Sequence, residues 1–362
     1  MPSDSRVYLI AEAGVNHNGD LGLALQLIDA AAEAGADAVK FQTFRSELVI
    51  SRHAPKAEYQ MRATGGEESQ LDMVRRLELS EQDHDLLAAH ARSRGIDFLS
   101  TPFDLPSLQL LTRRLSLTRI KIPSGEITNL PFLLDIARAS PRVILSTGMA
   151  TLAEVETALG VLAFGYTATL DAAPSLTSFA SAFAAQEARA LLAERVVILH
   201  CTTEYPAPVE ETNLRAMDTI ASAFGLPVGY SDHTEGIHVA LAAVARGASL
   251  IEKHFTLDRS MEGPDHRASI EPSTLAELVQ QVRDIERALG DGVKVPGASE
   301  WKNRAVARKS IVARRRILPG ELFSEENLIC KRPGSGVSAS RWYDLLGRRA
   351  AAGYLPDDLI QE

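Results

Sequence analysis

The 362-residue chain is 45% hydrophobic and carries a formal net charge of −9. Its length and apolar content suffice for one large packed domain plus a small one, and the acidic balance argues against a general nucleic-acid binder. No apolar run approaches the roughly 20 residues that span a bilayer, no leader-type segment opens the chain, and two distant cysteines, Cys201 and Cys330, point to a reducing cytoplasm rather than a disulfide framework.

In chain order, eight short and nearly continuous apolar runs are predicted strands: Val7–Ala11, Ala38–Phe41, Asp97–Ser100, Arg119–Ile122, Arg142–Leu145, Val196–His200, Pro227–Tyr230 and Leu250–Lys253. Unbroken apolarity marks strands buried on both faces. Helical patterns lie between most of them. Leu21–Ala34 stops at Gly35 and Glu81–Arg94 at Gly95, while Leu152–Ala163 and Ile237–Ala245 follow the same pattern. Eight strands alternating with helices over about 250 residues predict a TIM (β/α)8 barrel, with a doubly wound sheet as the alternative. Ile50–Leu77, which contains Gly65 and Gly66, and the Ala/Ser/Thr-rich Ala168–Ala193 read as elaborated loops with helical pieces. The chain therefore divides into a barrel over 1–290, a Gly/Pro-marked linker over 291–304, and a small β-rich domain over 305–362. That last domain is built on Ser310–Val312, Leu318–Glu321, Leu328–Lys331 and turn residues through Gly336. From Trp301 onward twelve Lys/Arg stand against seven Asp/Glu, so the tail is a basic unit on an acidic body.

Catalytic groups of a barrel sit at the C-terminal ends of its strands. Here those ends carry Glu12, Lys40 with Gln42, Ser100-Thr101, Lys121 with Ser124-Gly125, Ser146-Thr147-Gly148, Thr202-Thr203 with Tyr205, Ser231-Asp232-His233, and Lys253-His254. Strand ends meet water and are often polar for that reason alone. Lysine and histidine inside runs such as AVKF, RIKI and IEKHF are a different matter, because a buried lysine needs an anionic partner or a depressed pKa. Lys40 and Lys121 with the hydroxyls of Ser124, Ser146 and Ser231 form a donor-rich cradle for a phosphate or carboxylate. Gly125 and Gly148 would let backbone N–H groups approach that anion. His233 and His254, on neighbouring strands, can meet around one divalent metal with open positions. Their spacing equally fits a loop cap and a packed core histidine. Glu12 can act as a general base or steady a developing cation, or it can simply bond the barrel rim.

The runs IAEAGVNHNG, AVKFQTF, FLSTPF, KIPSGE, ILSTGM, LHCTTEYPAP, GYSDHT, IEKHFT, GPDHRAS, ARKSIVA and KRPGSG together resemble the sialic acid synthase family over almost the whole chain. The resemblance implies a TIM barrel followed by an antifreeze-like (SAF) domain. It also implies a domain-swapped homodimer in which each small domain covers the partner's barrel mouth. The reaction implied is condensation of phosphoenolpyruvate with an N-acylated amino sugar, water addition, and loss of phosphate by C–O cleavage. In this resemblance Glu12 is the catalytic carboxylate, and His233 and His254 hold a metal, manganese first, with magnesium or cobalt possible. Lys40, Thr101, Lys121, Ser124, Ser146 and Ser231 hold phosphoenolpyruvate. Thr203 joins them where some members carry asparagine. Gln42, Tyr205 and Asp265 contact the sugar, and Arg308 reaches its N-acyl group across the dimer. GPDHRAS, followed by Glu271-Pro272, suits both N-acetylneuraminate and N,N′-diacetyllegionaminate synthases, and N-acetylneuraminate, made from N-acetylmannosamine, is placed first. A Schiff-base aldolase using Lys40, Lys121 or Lys253, and a non-catalytic anion- or ice-binding protein, are the readings from other classes.

Overall fold

All eight apolar runs form strands: β1 Tyr8–Gly14, β2 Ala38–Thr43, β3 Asp97–Pro102, β4 Arg119–Ile122, β5 Arg142–Ser146, β6 Val196–His200, β7 Val228–Asp232 and β8 Leu250–His254. The structure is a computed structural model that describes residues 6–58, 60–61, 68–139 and 142–361. Several strands run two or three residues beyond their predicted ends, into the polar tips. The backbone ladder is indifferent to side-chain polarity, so apolarity marks only the middle of each strand.

The strands pair in the order β3-β2-β1-β8-β7-β6-β5-β4, with parallel ladders throughout. The first strand is hydrogen-bonded to the last, and β3 lies beside β4. This closes a barrel and sets aside the doubly wound alternative. Side chains alternate across the wall. Ile10, Ala38, Leu99, Ile144, Leu199 and Leu250 fill the interior, while their neighbours in sequence, such as Val39, Phe98, Val143 and Ile251, pack outward against the helices. Gly229 belongs to the inner layer because nothing larger fits. A Cβ there would lie 2.4 Å from the Leu250 carbonyl oxygen and 2.7 Å from Leu199.

Helix boundaries follow local capping chemistry. Asp20 caps Leu21–Glu33 by accepting from the Leu23 N–H, and Ser80 with Asp83 makes a capping box for Glu81–Arg94, which ends on left-handed Gly95. Thr151 and Glu154 do the same for Leu152–Thr167, a turn longer than predicted. Gly165 does not stop that helix. A Cβ there would lie 2.4 Å from Ala137 Cβ, so it is a close-packing glycine. The two interruptions contain helices Gln70–Arg75, and Leu176–Ala184 with Gln186–Arg195. Gly65 and Gly66 lie outside the described residues. No helix among the described residues is long and apolar enough to cross a membrane.

The chain separates into Met1–Gly290 and Asp291–Glu362. The second unit departs from the predicted linker over 291–304, because helix Ala298–Ala307 occupies much of it. The Glu300 carboxylate accepts from the Gly297 N–H at 2.8 Å and starts that helix. Beyond it, β9 Ser310–Ala313 and β10 Leu328–Lys331 pair antiparallel. Leu318–Glu321 is a turn flanked by the bridges Ile317↔Tyr354 and Leu322↔Arg349. Ile311, Ile317, Phe323, Leu328, Tyr354 and Ile360 form the unit's own core.

Two histidines on the barrel's flank make its stability sensitive to acid. His17 is fully buried, its Nδ1 accepts from the Gly19 N–H at 3.0 Å, and burial pushes its pKa down to about 4. His84 donates from Nδ1 to the Ser80 carbonyl and accepts at Nε2 from the Thr43 hydroxyl, each at 2.8 Å, and burial lowers it as well. The fold therefore favours neutral rings. Their stabilisation is complete above the unfolded value near 6.5 and is lost as pH falls through the folded values. For His17 the full effect is about 3 kcal/mol. The urea midpoint should fall between pH 6.5 and 4, and His17→Asn should flatten part of that fall. An unchanged slope in the variant would contradict this assignment.

Candidate active site

The barrel mouth gathers charge that the interior would otherwise exclude. In β8, Leu250, Glu252 and His254 face inward while Ile251 and Lys253 face the helices, as the period of two requires. Glu252 is 3% exposed and accepts from Lys121 Nζ at 2.7 Å and from the Ser231 hydroxyl at 2.8 Å. Lys40 Nζ, on β2, is ion-paired with Glu12 of β1, lies 3.6 Å from Glu252, and donates to Thr101 Oγ1 at 3.0 Å. Two lysines thus share two carboxylates, in a register that sets Glu12 level with Lys40 on one side and His254 on the other.

The carboxylates are not equivalent. Burial raises Glu12 to about 7; Lys40 opposes that rise and the Glu252 charge reinforces it. Burial opposes ionisation of Glu252 too, but Lys121 and Lys40 outweigh it and hold this group well below the usual range. Burial alone would lower Lys40, yet Glu12 and Glu252 carry it above its ordinary value. Near neutral pH the cluster therefore holds one firm anion, Glu252, and one carboxyl poised to exchange a proton, Glu12.

Tyr205, His233 and His254 cluster at the rim, with His254 edge-on to both other rings. The two imidazole centroids are 5.6 Å apart, and the Tyr205 ring lies 4.2 Å from that of His233. His233 Nδ1 donates to the Thr202 carbonyl at 2.6 Å, which puts the lone pair on Nε2, 3.3 Å from the Ser231 hydroxyl that donates to Glu252. His254 Nδ1 is buried with no hydrogen-bond partner. Burial lowers His233 to about 4 and holds His254 well below its normal value, with the neighbouring His233 and Lys40 acting in the same direction. Two neutral imidazoles with an unsatisfied buried nitrogen fit a divalent cation. No cluster of three or more His, Cys, Asp or Glu suited to a metal occurs among the described residues, so other coordination positions would fall to water or substrate.

On the opposite wall, Ser124 Oγ accepts from the Gly148 N–H at 2.9 Å and lies 3.2 Å from Cys201 Sγ. A Cβ on Gly148 would fall 2.1 Å from Thr203 Oγ1 and 2.8 Å from Ser124 Oγ, so glycine is what lets these hydroxyls converge. Gly125 is under no such pressure, with nothing within 4 Å of a Cβ there. Thr203 Oγ1 is itself buried without a partner.

One cavity brings together Glu12, Lys40, Gln42, Thr101, Lys121, Ser124, Ser146, Thr203, Tyr205, Ser231, His233, His254 and Asp265. Burial raises Asp265 to about 6. Arg308 belongs to the second unit, directly after helix Ala298–Ala307. Lys253 leaves the set. It points outward, pairs with Asp232 at 2.8 Å and donates to the Thr234 carbonyl, which removes it as a cavity nucleophile. Ser100 also faces away, toward Thr43 at 2.6 Å. Glu252 is the residue that sequence reasoning missed. Its signal was a carboxylate two positions before His254 in an apolar run, and hence on the same inward face.

A closed parallel barrel with this mouth, followed by a small turn-built unit, defines a barrel protein with a SAF domain, whose pattern matches residues 308–361. The chain belongs to the NeuB family, whose pattern matches residues 27–294. It is 51% identical over 357 residues, 99% of both chains, to the N,N′-diacetyllegionaminic acid synthase of Campylobacter jejuni. It is 46% identical to the enzyme of that name from Legionella pneumophila, over 96% of this chain and 91% of the relative. The crystal structure of an N-acetylneuraminic acid synthetase from Leptospira borgpetersenii superposes with a TM-score of 0.66 at 35% identity, covering 82% of this chain and 90% of that one.

Proposed function

We propose that the chain condenses phosphoenolpyruvate with 2,4-diacetamido-2,4,6-trideoxymannose and water to give N,N′-diacetyllegionaminate and phosphate. The observation that carries this reading is the 51% identity along 99% of both chains to a legionaminic acid synthase, against 35% to the N-acetylneuraminic acid synthetase. The sequence motifs placed N-acetylneuraminate first; the relatives reverse that order.

In this reading Lys40, Lys121 and the hydroxyls of Thr101, Ser124, Ser146, Thr203 and Ser231 hold the phosphate and carboxylate of phosphoenolpyruvate, fixing its methylene carbon toward the acceptor aldehyde. A divalent cation on His233 and His254, manganese first, would supply Lewis-acid polarisation of that aldehyde oxygen. Gln42, Tyr205 and Asp265 orient the sugar. After the carbon–carbon bond forms, water adds to the cationic C2, Glu12 manages the proton, and phosphate departs with its bridging oxygen while the lysines offset its charge. Glu12 suits that task because its raised pKa lies near neutrality. The same reading includes a cytoplasmic, domain-swapped homodimer in which Arg308 reaches the N-acyl group of the acceptor bound to the other copy.

Phosphate release with manganese should be compared for the diacetamido sugar and N-acetylmannosamine, each with and without EDTA. The reading expects EDTA-sensitive release with the diacetamido sugar at the higher kcat/KM. Equal or greater efficiency with N-acetylmannosamine would overturn the choice of sugar, and EDTA-insensitive release would overturn the metal. Arg308→Ala should raise the acceptor KM about tenfold while leaving the phosphoenolpyruvate KM near that of the parent, on the scale of one lost charge-assisted hydrogen bond. An unchanged acceptor KM would remove Arg308 from the site.

A further inference from the structure

The cavity that holds the charged cluster has a second half of opposite chemistry. On the side of β1, β2 and β3 it is lined by Val15, Phe44, Met73, Val74, Leu77 and Phe103. Val15, Phe44 and Leu77 form a buried apolar cluster with Val74 and Phe103 packed on it, and the Phe44 and Phe103 rings meet edge-on at 6.2 Å. This wall is part of the same cavity as Glu12, Lys40 and His254, so it faces whatever those groups hold.

Phosphoenolpyruvate has no use for such a wall. Its charged ends call for the lysines and hydroxyls, and a fully hydroxylated sugar pressed against the wall would lose water without gaining hydrogen bonds. We infer that this apolar lobe receives the C4–C6 end of the acceptor sugar, seating a C6 methyl group and the methyl of a C4 acetamido group. It is then the element that selects a 6-deoxy, 4-acetamido sugar over its hydroxylated counterpart. Gln42 and Gln70 also line the cavity and supply side-chain amides for the polar atoms of that acetamido group. The inference rests on the proposed reaction and adds to it the place where discrimination occurs. An apolar pocket discriminates a methyl from a hydroxyl-bearing group by about 10- to 100-fold, and each of the two positions should contribute on that scale.

The test uses the full-length, manganese-loaded protein and four N-acetylmannosamine-type acceptors that combine a hydroxyl or acetamido group at C4 with a methyl or hydroxymethyl group at C6. The kcat/KM of phosphate release should rise about tenfold or more when acetamido replaces the C4 hydroxyl, and again when a methyl replaces the hydroxymethyl. Placing a hydroxyl in the wall with Val74→Thr, or separately with Phe103→Tyr, should shrink the C6 preference several-fold, with melting temperature recorded to confirm folding. Turnover with a flat preference overturns the lobe and the choice of sugar together, while condensation with phosphoenolpyruvate stands; a preference for the diacetamido sugar that both folded variants leave unchanged overturns the lobe alone. If neither variant folds, the four-acceptor comparison on the parent protein decides by itself. No turnover with any of the four overturns the proposed reaction and the lobe together.

Discussion

Glu252→Gln is expected to lower the melting temperature by on the order of 5–10 °C and to make phosphoenolpyruvate a stronger stabiliser of the variant than of the parent. Glu252 is the ionised countercharge for Lys121 at 2.7 Å and a second, more distant one for Lys40 at 3.6 Å, and all three groups are buried. Removing one partner of a buried ion pair costs about 3 kcal/mol or more, which corresponds to several degrees for a domain of this size. Glu12 cannot replace the lost charge without cost, because burial already drives it toward its neutral form. An incoming phosphate or carboxylate would restore the missing anion, so the ligand-induced rise in melting temperature should be larger in the variant. Glu252→Asp should recover part of the stability. A variant that melts with the parent, or one that phosphoenolpyruvate stabilises less, would mean that Glu252 does not hold the lysines in place.

Glu12→Gln is expected to keep the fold and the affinity for phosphoenolpyruvate while lowering kcat by about 10²- to 10⁴-fold, the range for loss of a positioned acid–base group. The fold should tolerate the change because the raised pKa means that folding already disfavours the charge. Lys40 retains Glu252 and the Thr101 hydroxyl. Melting temperature, the phosphoenolpyruvate dissociation constant and single-turnover phosphate release separate the three quantities. A kcat within a few-fold of the parent would take Glu12 out of the chemistry.

The barrel was legible because parallel strands covered on both faces must be apolar throughout, and eight such runs stand clear of the amphipathic helices between them. The lysines were legible for the converse reason, since AVKF and RIKI bury a charge that needs a partner. The partner itself was overlooked. Glu252 sits between Ile251 and Lys253, and only the alternation along β8 shows that it shares the inner face with His254 while Lys253 does not. Helix Ala298–Ala307 was hidden by the Gly/Pro-rich residues that precede it, although Glu300 carries its start signal. Helix Leu152–Thr167 outruns its predicted end at Ala163 because a sequence does not show whether a nearby glycine terminates a helix or, as Gly165 does, lets Ala137 approach. Two-sided chemistry in the cavity could not be read at all, because Val15, Met73 and Phe103 come from three separate segments that only the closed barrel mouth brings together.

The most direct test of the account follows the bridging oxygen of phosphoenolpyruvate. With that oxygen labelled as ¹⁸O, and with manganese and the diacetamido sugar present, the released phosphate should carry the label in step with formation of the nine-carbon acid. This is the signature of C–O cleavage after carbon–carbon bond formation. Unlabelled phosphate accompanying the nine-carbon acid would mean P–O cleavage and contradict the proposed route, and phosphate released without consumption of sugar would show that the Lys40–Glu12–Glu252–Lys121 cluster serves a hydrolase rather than a synthase.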